Sequence, residues 1–388
     1  MKQKILLFTL VHPDFLPPVY ASAQTLRDLG YDIHILTFDS YVPAESDLGP
    51  NIIVESVGKH HDIPFLQRWR LRRKYAIRAS ELVTSETHAI ISFCPFSFLT
   101  ALKFKSATSV IYFALEIADF EWKYVMHSPL NNFNNLIALN SLPKADLVAT
   151  PSVQRSAWLA GRVHMDVLPD TIYNTSYFSE KDLEKSTQGI FRKLVPAHFL
   201  NKKILLYTGA VNERLCVSEL VQAYLKVGDT GCAMIVTGMK DNPYCNEIKR
   251  IVAASPMREN VQLLPYVSRE EMLALQANSH IGACLVREYR DNIASKMIAP
   301  NKVGEYLNKG LFILGVKCVY MNMFENVGVA ALADSPSVAD ISITLRDAIK
   351  QVEANNNKEM IISFVKDYYC MQKQAEPIIS FLQNSSNH

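Results

Sequence analysis

With 388 residues, the chain is too long for one ordinary hydrophobic core, so two domains are expected. Hydrophobic residues make up 49% and charged residues 20%, a balance that excludes a disordered chain. The net charge of +2 gives nucleic-acid binding no support.

Seven cysteines lie scattered at 94, 216, 232, 245, 284, 318 and 370. No CxxC pair or cysteine–histidine spacing suggests zinc, and the pattern reads as reduced thiols in a cytoplasmic protein. No apolar run reaches the length of a membrane span. The run Ile5–Val11 lacks a small-residue cleavage site and reads as a buried first strand rather than a leader.

In chain order, that strand is broken by His12-Pro13-Asp14, and a helix over Ala21–Leu29 ends at Gly30. Tyr31–Phe38 completes a βαβ unit. In doubly wound sheets ligands collect at the carboxyl ends of strands, so Thr9–Phe15, with His12 and Asp14, is a candidate cleft loop. It has no GxGxxG fingerprint, which argues against a dinucleotide cofactor. Phe65–Ala79 carries Arg68, Arg70, Arg72, Arg73, Lys74 and Arg78 around Trp69, Leu71, Tyr75 and Ile77. Such a stretch is either a solvated helix face or a docking surface for anionic lipid or a lipid-linked phosphate.

Strands follow at His88–Phe93 and Ser109–Phe113, and Glu116 places a carboxylate three residues beyond the second. A helix over Leu136–Leu142, a strand Asp146–Thr150, a helix Ser152–Gly161 and a strand Met165–Leu168 complete the first half. Tyr173–Asn201 lacks a strong period and reads as the interdomain linker.

The second half repeats the alternation. Strands are expected at Ile204–Thr208, Ala233–Thr237, Val261–Leu264 and Ile281–Val286, and helices at Ser218–Tyr224 and Asn246–Ala254. Ser268-Arg-Glu-Glu271 is a capping box opening a helix to Asn278. A helix spans Ala339–Ala354, and Lys358–Phe381 is aromatic-rich with an interruption at Pro377. The fold class is therefore α/β, with two Rossmann-like domains facing a cleft.

The most informative stretch is Ile293–Gly310, followed by the apolar run Leu311–Leu314. Pro300 suits the first turn of a helix and Gly310 its left-handed end. Lys302, Glu305 and Tyr306 can share one face. A helix start with a lysine beside it favours phosphate, and a carboxylate one turn inside can accept the two hydroxyls of a ribose. The plain alternative is a solvated helix with a Lys302–Glu305 ion pair. Gly209-Ala-Val-Asn212-Glu-Arg214 follows the first strand of the second half, where glycine admits a ligand to the backbone and Arg214 can fork onto phosphate. Gly238 at a second strand end leaves room for a flat base, and Leu264–Val267, with Tyr266, could line its pocket.

These residues resemble glycosyltransferase family 4, of the two-domain GT-B fold, over nearly the whole chain. Ala299-Pro-Asn-Lys-Val-Gly-Glu-Tyr-Leu-Asn-Lys-Gly310 is similar to the "sPNKlfEYmaaG" form of surface-polysaccharide transferases. Tyr207–Arg214 resembles the family's phosphate turn, Val110–Glu116 the first-domain strand that often ends in "HE", Ala145–Arg155 the "aDl…R" segment, and Val167–Asp170 the "lPN" before the linker.

The resemblance implies residues 1–180 as an acceptor domain, 200–358 as a nucleotide-sugar donor domain, and 359–388 as a helix crossing back to the first. It implies retaining transfer of a sugar from a nucleotide-sugar to a glycan or lipid-linked acceptor hydroxyl, without a metal or other cofactor. Capsule, O-antigen or another envelope polysaccharide would be the product. The expected location is cytoplasmic, with peripheral attachment to the inner face of the plasma membrane through Arg68–Arg78.

Arg214, Lys302 and Glu116 would be catalytic, Gly209, Asn212, Gly238, Tyr266 and Glu305 would bind the donor, and His12 and Asp14 would lie on the acceptor side. The first glutamate of the family's EX7E pattern falls at Met297, so Asn292 and Asn301 are candidates for its sugar contact. Leu115 stands where the family has histidine, and Ala210 where it has a basic residue. Two alternatives stay open: a non-hydrolysing nucleotide-sugar epimerase using Glu116 and Asp14, and a non-catalytic nucleotide-binding relative.

Overall fold

The computed structural model describes residues 3–10, 16–38, 49–59, 63–116, 129–184, 187–228, 231–288, 297–354 and 357–385. The chain divides into two compact units, Met1–Tyr177 with Met371–His388, and Phe178–Cys370.

The first unit holds a seven-stranded parallel sheet of β1 (Lys4–Phe8), β2 (Asp32–Thr37), β3 (Ile52–Ser56), β4 (Thr87–Ser92), β5 (Ser109–Phe113), β6 (Leu147–Thr150) and β7 (Asp170–Thr171), ordered β3-β2-β1-β4-β5-β6-β7. The apolar run of β1 is explained by burial on both faces. Ile5 and Leu7 join one core with Ile33, Ile35, Ile91 and Ile111, while Leu6 and Phe8 join the other with Leu36, Ile90 and Val110.

Pro17 and Pro18 open the first helix, Pro17–Asp28, ahead of the Ala21 start expected from the sequence. A proline in the first turn forfeits no intrahelical hydrogen bond. The expected strand Met165–Leu168 does not form, because Val167 and Leu168 face solvent, and the strand that does form is β7.

The second unit holds a six-stranded parallel sheet of β8 (Lys203–Tyr207), β9 (Cys232–Val236), β10 (Val261–Leu263), β11 (Ile281–Cys284), β12 (Phe312–Val316) and β13 (Ala330–Ala333), ordered β10-β9-β8-β11-β12-β13. Part of the expected linker is helical, at Glu180–Glu184 and Gln188–Leu194.

The crossing back to the first unit starts at Met371, later than the expected residue 359. The helix Asn357–Asp367 instead packs on Asn301–Asn308 and β12, burying Ile361 and Val365. Pro377 does not interrupt a helix but occupies the first turn of the last one, Glu376–Ser385. Met371, Ala375, Ile378 and Leu382 join the core of Ile5 and Leu7, and the Leu382 carbonyl lies 3.0 Å from His88 Nε2.

Candidate functional site

The carboxyl ends of β8, β9 and β11 meet the start of the helix Asn301–Asn308 within the second unit. β8 ends at Tyr207, and Thr208 and Gly209 turn the chain, with Gly209 at φ +111°. The Tyr207 hydroxyl donates to the Ala210 carbonyl (2.5 Å) and closes that turn. Gly238, beyond β9, has φ +89°, and a Cβ there would lie 2.0 Å from the Gly209 carbonyl oxygen. The direction a side chain at Gly238 would take is thus filled by the neighbouring turn. Gly238 and Met239 also donate their N–H groups to the carbonyls of Pro265 and Leu264, tying the 264–267 segment to the same strand ends.

The helix Asn301–Asn308 is amphipathic and shorter than expected by one residue at its start, with Pro300 extended just outside it. It ends before Gly310, at φ +76° as expected. Tyr306 is fully buried. Its phenol oxygen accepts the Thr208 N–H (2.9 Å) and shares a 3.0 Å hydrogen bond with the Thr208 hydroxyl. Burial pushes the phenol up to about 12, against the opposing pull of Lys302. Its ring takes the space a side chain at Gly282 of β11 would need, since a Cβ there would come within 2.4 Å of it. The helix is in this way bolted to the β8 turn.

Lys302 and Glu305 do not pair with each other. The Lys302 ammonium sits 4.1 Å from the centre of the Tyr207 ring, and a Cβ at Gly209 would be 3.7 Å from it. It is sealed from solvent and has no hydrogen-bond acceptor among the described residues. Burial pushes the Cys284 thiol at the end of β11 up to about 11, so no thiolate neutralises the lysine. Glu305 is only 8% exposed, and its Oε1 accepts from Nη1 of Arg269, the first residue of the helix Arg269–Ala277. Sequence spacing did not find Arg269, which lies 36 positions away. The capping box that places it, Ser268 with Glu271, forms as read.

Asn212 spends its side-chain oxygen capping the short turn Glu213–Leu215, accepting the Leu215 N–H at 3.2 Å. Arg214 in that turn is exposed, with no ion-pair partner among the described residues, and its carbonyl accepts the Arg287 N–H at 2.8 Å. Asn301 opens the Lys302 helix and is half-buried, while Tyr266 is exposed. Asn292, His12 and Asp14 lie outside the described residues.

In the first unit, Glu116 is exposed beyond β5, at the edge of a small pocket lined by Pro95, Tyr112, Ala114 and Leu139. The preceding carbonyl, of Leu115, accepts from the buried guanidinium of Arg155.

The basic helix, Phe65–Leu82, is less uniform than its sequence. Arg72 is buried with its guanidinium 5.0 Å from the Phe96 ring centre, and Arg78 forks onto Glu55 and reaches Glu81. Arg68 and Lys74 donate to the carbonyls of Ile63 and Val57. Leu66, Trp69, Arg70, Arg73 and Ile77 remain exposed, and 66, 69, 73 and 77 follow helical spacing on one face.

Comparison with solved structures settles the architecture. A sucrose-phosphate synthase of Thermosynechococcus elongatus matches with a TM-score of 0.66 at 13% identity, covering 99% of this chain and 100% of its own. A UDP-forming trehalose-phosphate synthase of Burkholderia vietnamiensis matches at 0.68 and 10% identity, covering 99% and 97%. The fold is GT-B. Anabaena HepE, solved in complex with UDP-glucose, shares it at a TM-score of 0.65 and 14% identity, covering 98% of this chain and 100% of HepE. No protein-family model and no protein of curated function matches the sequence. At these identities the likeness is one of GT-B fold.

Proposed function

We propose that this protein is a retaining glycosyltransferase that takes a sugar from a nucleotide diphosphate donor bound by the second unit and passes it to an acceptor hydroxyl in envelope polysaccharide synthesis. The observation that carries the reading is Lys302. A buried ammonium without an acceptor is costly, and one held over an aromatic face beside a glycine turn is poised for an anion. The donor's diphosphate supplies that anion. Arg214, exposed on the short turn Glu213–Leu215 that follows the glycine, adds the second positive charge, so the leaving group's developing charge is met by side chains rather than by a metal ion. Glu305, one turn into the helix, accepts the ribose hydroxyls. HepE, of the same fold, binds UDP-glucose, which makes UDP-sugars the first donors to try.

The acceptor side is assigned to the first unit, with Glu116 at the end of β5. Among the described residues no helix is long and apolar enough to cross a membrane. We assign a lipid-linked acceptor and a peripheral site on the inner membrane face through Leu66, Trp69 and Ile77, flanked by Arg70 and Arg73. A helix face of this composition lies in the headgroup region of anionic bilayers.

A panel of UDP- and GDP-sugars in a thermal-shift assay tests the reading. A ligand at 100 times its Kd stabilises the folded state by about 2.7 kcal/mol. The expected result is a clear shift with one nucleotide series, and turnover in which Glu305→Ala loses about 2 kcal/mol or more of transition-state stabilisation. No shift with any nucleotide, or wild-type turnover in Glu305→Ala, refutes it.

A further inference from the structure

Glu305 is nearly buried, and its Oε1 is already taken by the Arg269 guanidinium, while Oε2 accepts no hydrogen bond from the described residues. Arg269 itself is partly open, with 32% of its side chain exposed. It begins its helix immediately after the 264–267 segment, whose carbonyls are fixed to Gly238 and Met239. The guanidinium therefore stands between the strand-end loop assigned to the base and the carboxylate assigned to the ribose.

We propose that Arg269 is the positioning residue of the ribose site. This inference rests on the nucleotide-binding reading above. A carboxylate has about four acceptor directions, and an arginine bonded to one oxygen fixes the carboxylate plane while leaving the other oxygen for hydroxyl donors. It also compensates a buried negative charge that would otherwise meet the neighbouring Lys302. With Arg269 holding Glu305, the two charges three residues apart stay separate: Lys302 is left for phosphate and Glu305 for the sugar hydroxyls. Without Arg269, the carboxylate is free to turn onto Lys302, and both contacts with the nucleotide are lost together.

The test is calorimetric titration of wild type, Arg269→Met and Arg269→Lys with UDP, GDP and the 2′,3′-dideoxy form of each. Wild type should prefer the ribose form of its nucleotide by about tenfold or more, the scale of a charge-assisted hydrogen bond. Arg269→Met should bring the ribose form down to within about twofold of the dideoxy form, and Arg269→Lys, which keeps the cation, should recover part of the gap. A merely structural role would weaken ribose and dideoxy forms equally, leaving the ratio unchanged, and that result overturns the proposal. If Arg269→Met does not fold, the lysine variant decides by the same ratio. Wild type that binds neither diphosphate removes the nucleotide reading itself. Wild type that binds one without distinguishing the dideoxy form removes only the ribose assignment, and Arg269 with it.

Discussion

Replacing Lys302 by Met separates binding from stability in a way few substitutions can. The methionine keeps most of the side-chain volume over Tyr207 and removes the charge. In the free protein the ammonium is sealed from solvent with no acceptor among the described residues. A neutral polar group left unmet costs about 1–3 kcal/mol by mutational data, and an unmet ammonium costs more. Against this, the contact with the Tyr207 ring at 4.1 Å returns up to about 2 kcal/mol. The cost outweighs the return, so Lys302→Met should raise unfolding stability by about 1 kcal/mol or more. Each kcal/mol is roughly 2–4 °C in Tm for a unit of this size. Binding moves the other way. A charge-assisted contact with diphosphate is worth about 1.5–3 kcal/mol, so the nucleotide Kd should rise roughly 10- to 150-fold. Urea unfolding measures the first quantity and calorimetric titration with UDP or GDP the second. A variant that binds nucleotide within about twofold of wild type, or that loses more than about 2 kcal/mol of stability, refutes the assignment of Lys302 as an anion ligand.

Three further outcomes are expected. Gly238→Ala should destabilise the second unit by about 2–4 kcal/mol in urea, because its φ of +89° is unfavourable for alanine and the new Cβ would sit 2.0 Å from the Gly209 carbonyl. Wild-type stability there would mean the turn is slack. His280 is held neutral, its Nδ1 accepting the Ile204 N–H at 3.1 Å, and burial, helped by Lys203 and Lys358, brings it down to about 4 from an ordinary 6.5. Because the folded value is the lower one, its contribution is complete above pH 6.5 and is lost as pH falls through 4. Urea unfolding between pH 7 and pH 4 should lose up to about 3 kcal/mol on this account, and His280→Gln should flatten that slope. Finally, Trp69→Ser with Arg73→Ser should cut sedimentation with vesicles of phosphatidylglycerol by about tenfold, since each basic residue contributes about 1 kcal/mol at such a surface. Arg78→Ser should leave binding near wild type, because Arg78 is spent on Glu55.

The strands of both sheets were legible where the chain is buried on both faces. Ile5–Phe8 and Ile204–Tyr207 are continuous apolar runs that no amphipathic helix would show. The failure at Met165–Leu168 has the converse cause. Its residues are apolar but solvent-facing, and the neighbouring β7 is a polar two-residue strand with no apolar signature. β3 is a partly exposed edge strand, and it too lacks the run that marks the others. At the site, the glycines, Lys302, Glu305 and Tyr306 could be read because strand ends and a helix start fix them locally. The Glu305 partner could not be read. Helical spacing favours Lys302 three positions earlier, but the fold brings Arg269 closer from another helix. The two jobs of Tyr207, turn closure through its hydroxyl and a cation rest through its ring, were also hidden in what read only as a strand residue.

The segment from Met371 onward also bears on how the chain is made. Met371, Ala375, Ile378 and Leu382 complete an apolar layer that begins with Ile5. A ribosome delivers the amino-terminal sheet and the helix Pro17–Asp28 first and the segment from Met371 only after the second unit, so that sheet must wait with part of one face uncovered while the whole intervening unit emerges. The second unit, contiguous from Phe178 to Cys370, has no such wait. During synthesis, the half made second is therefore the first able to finish folding.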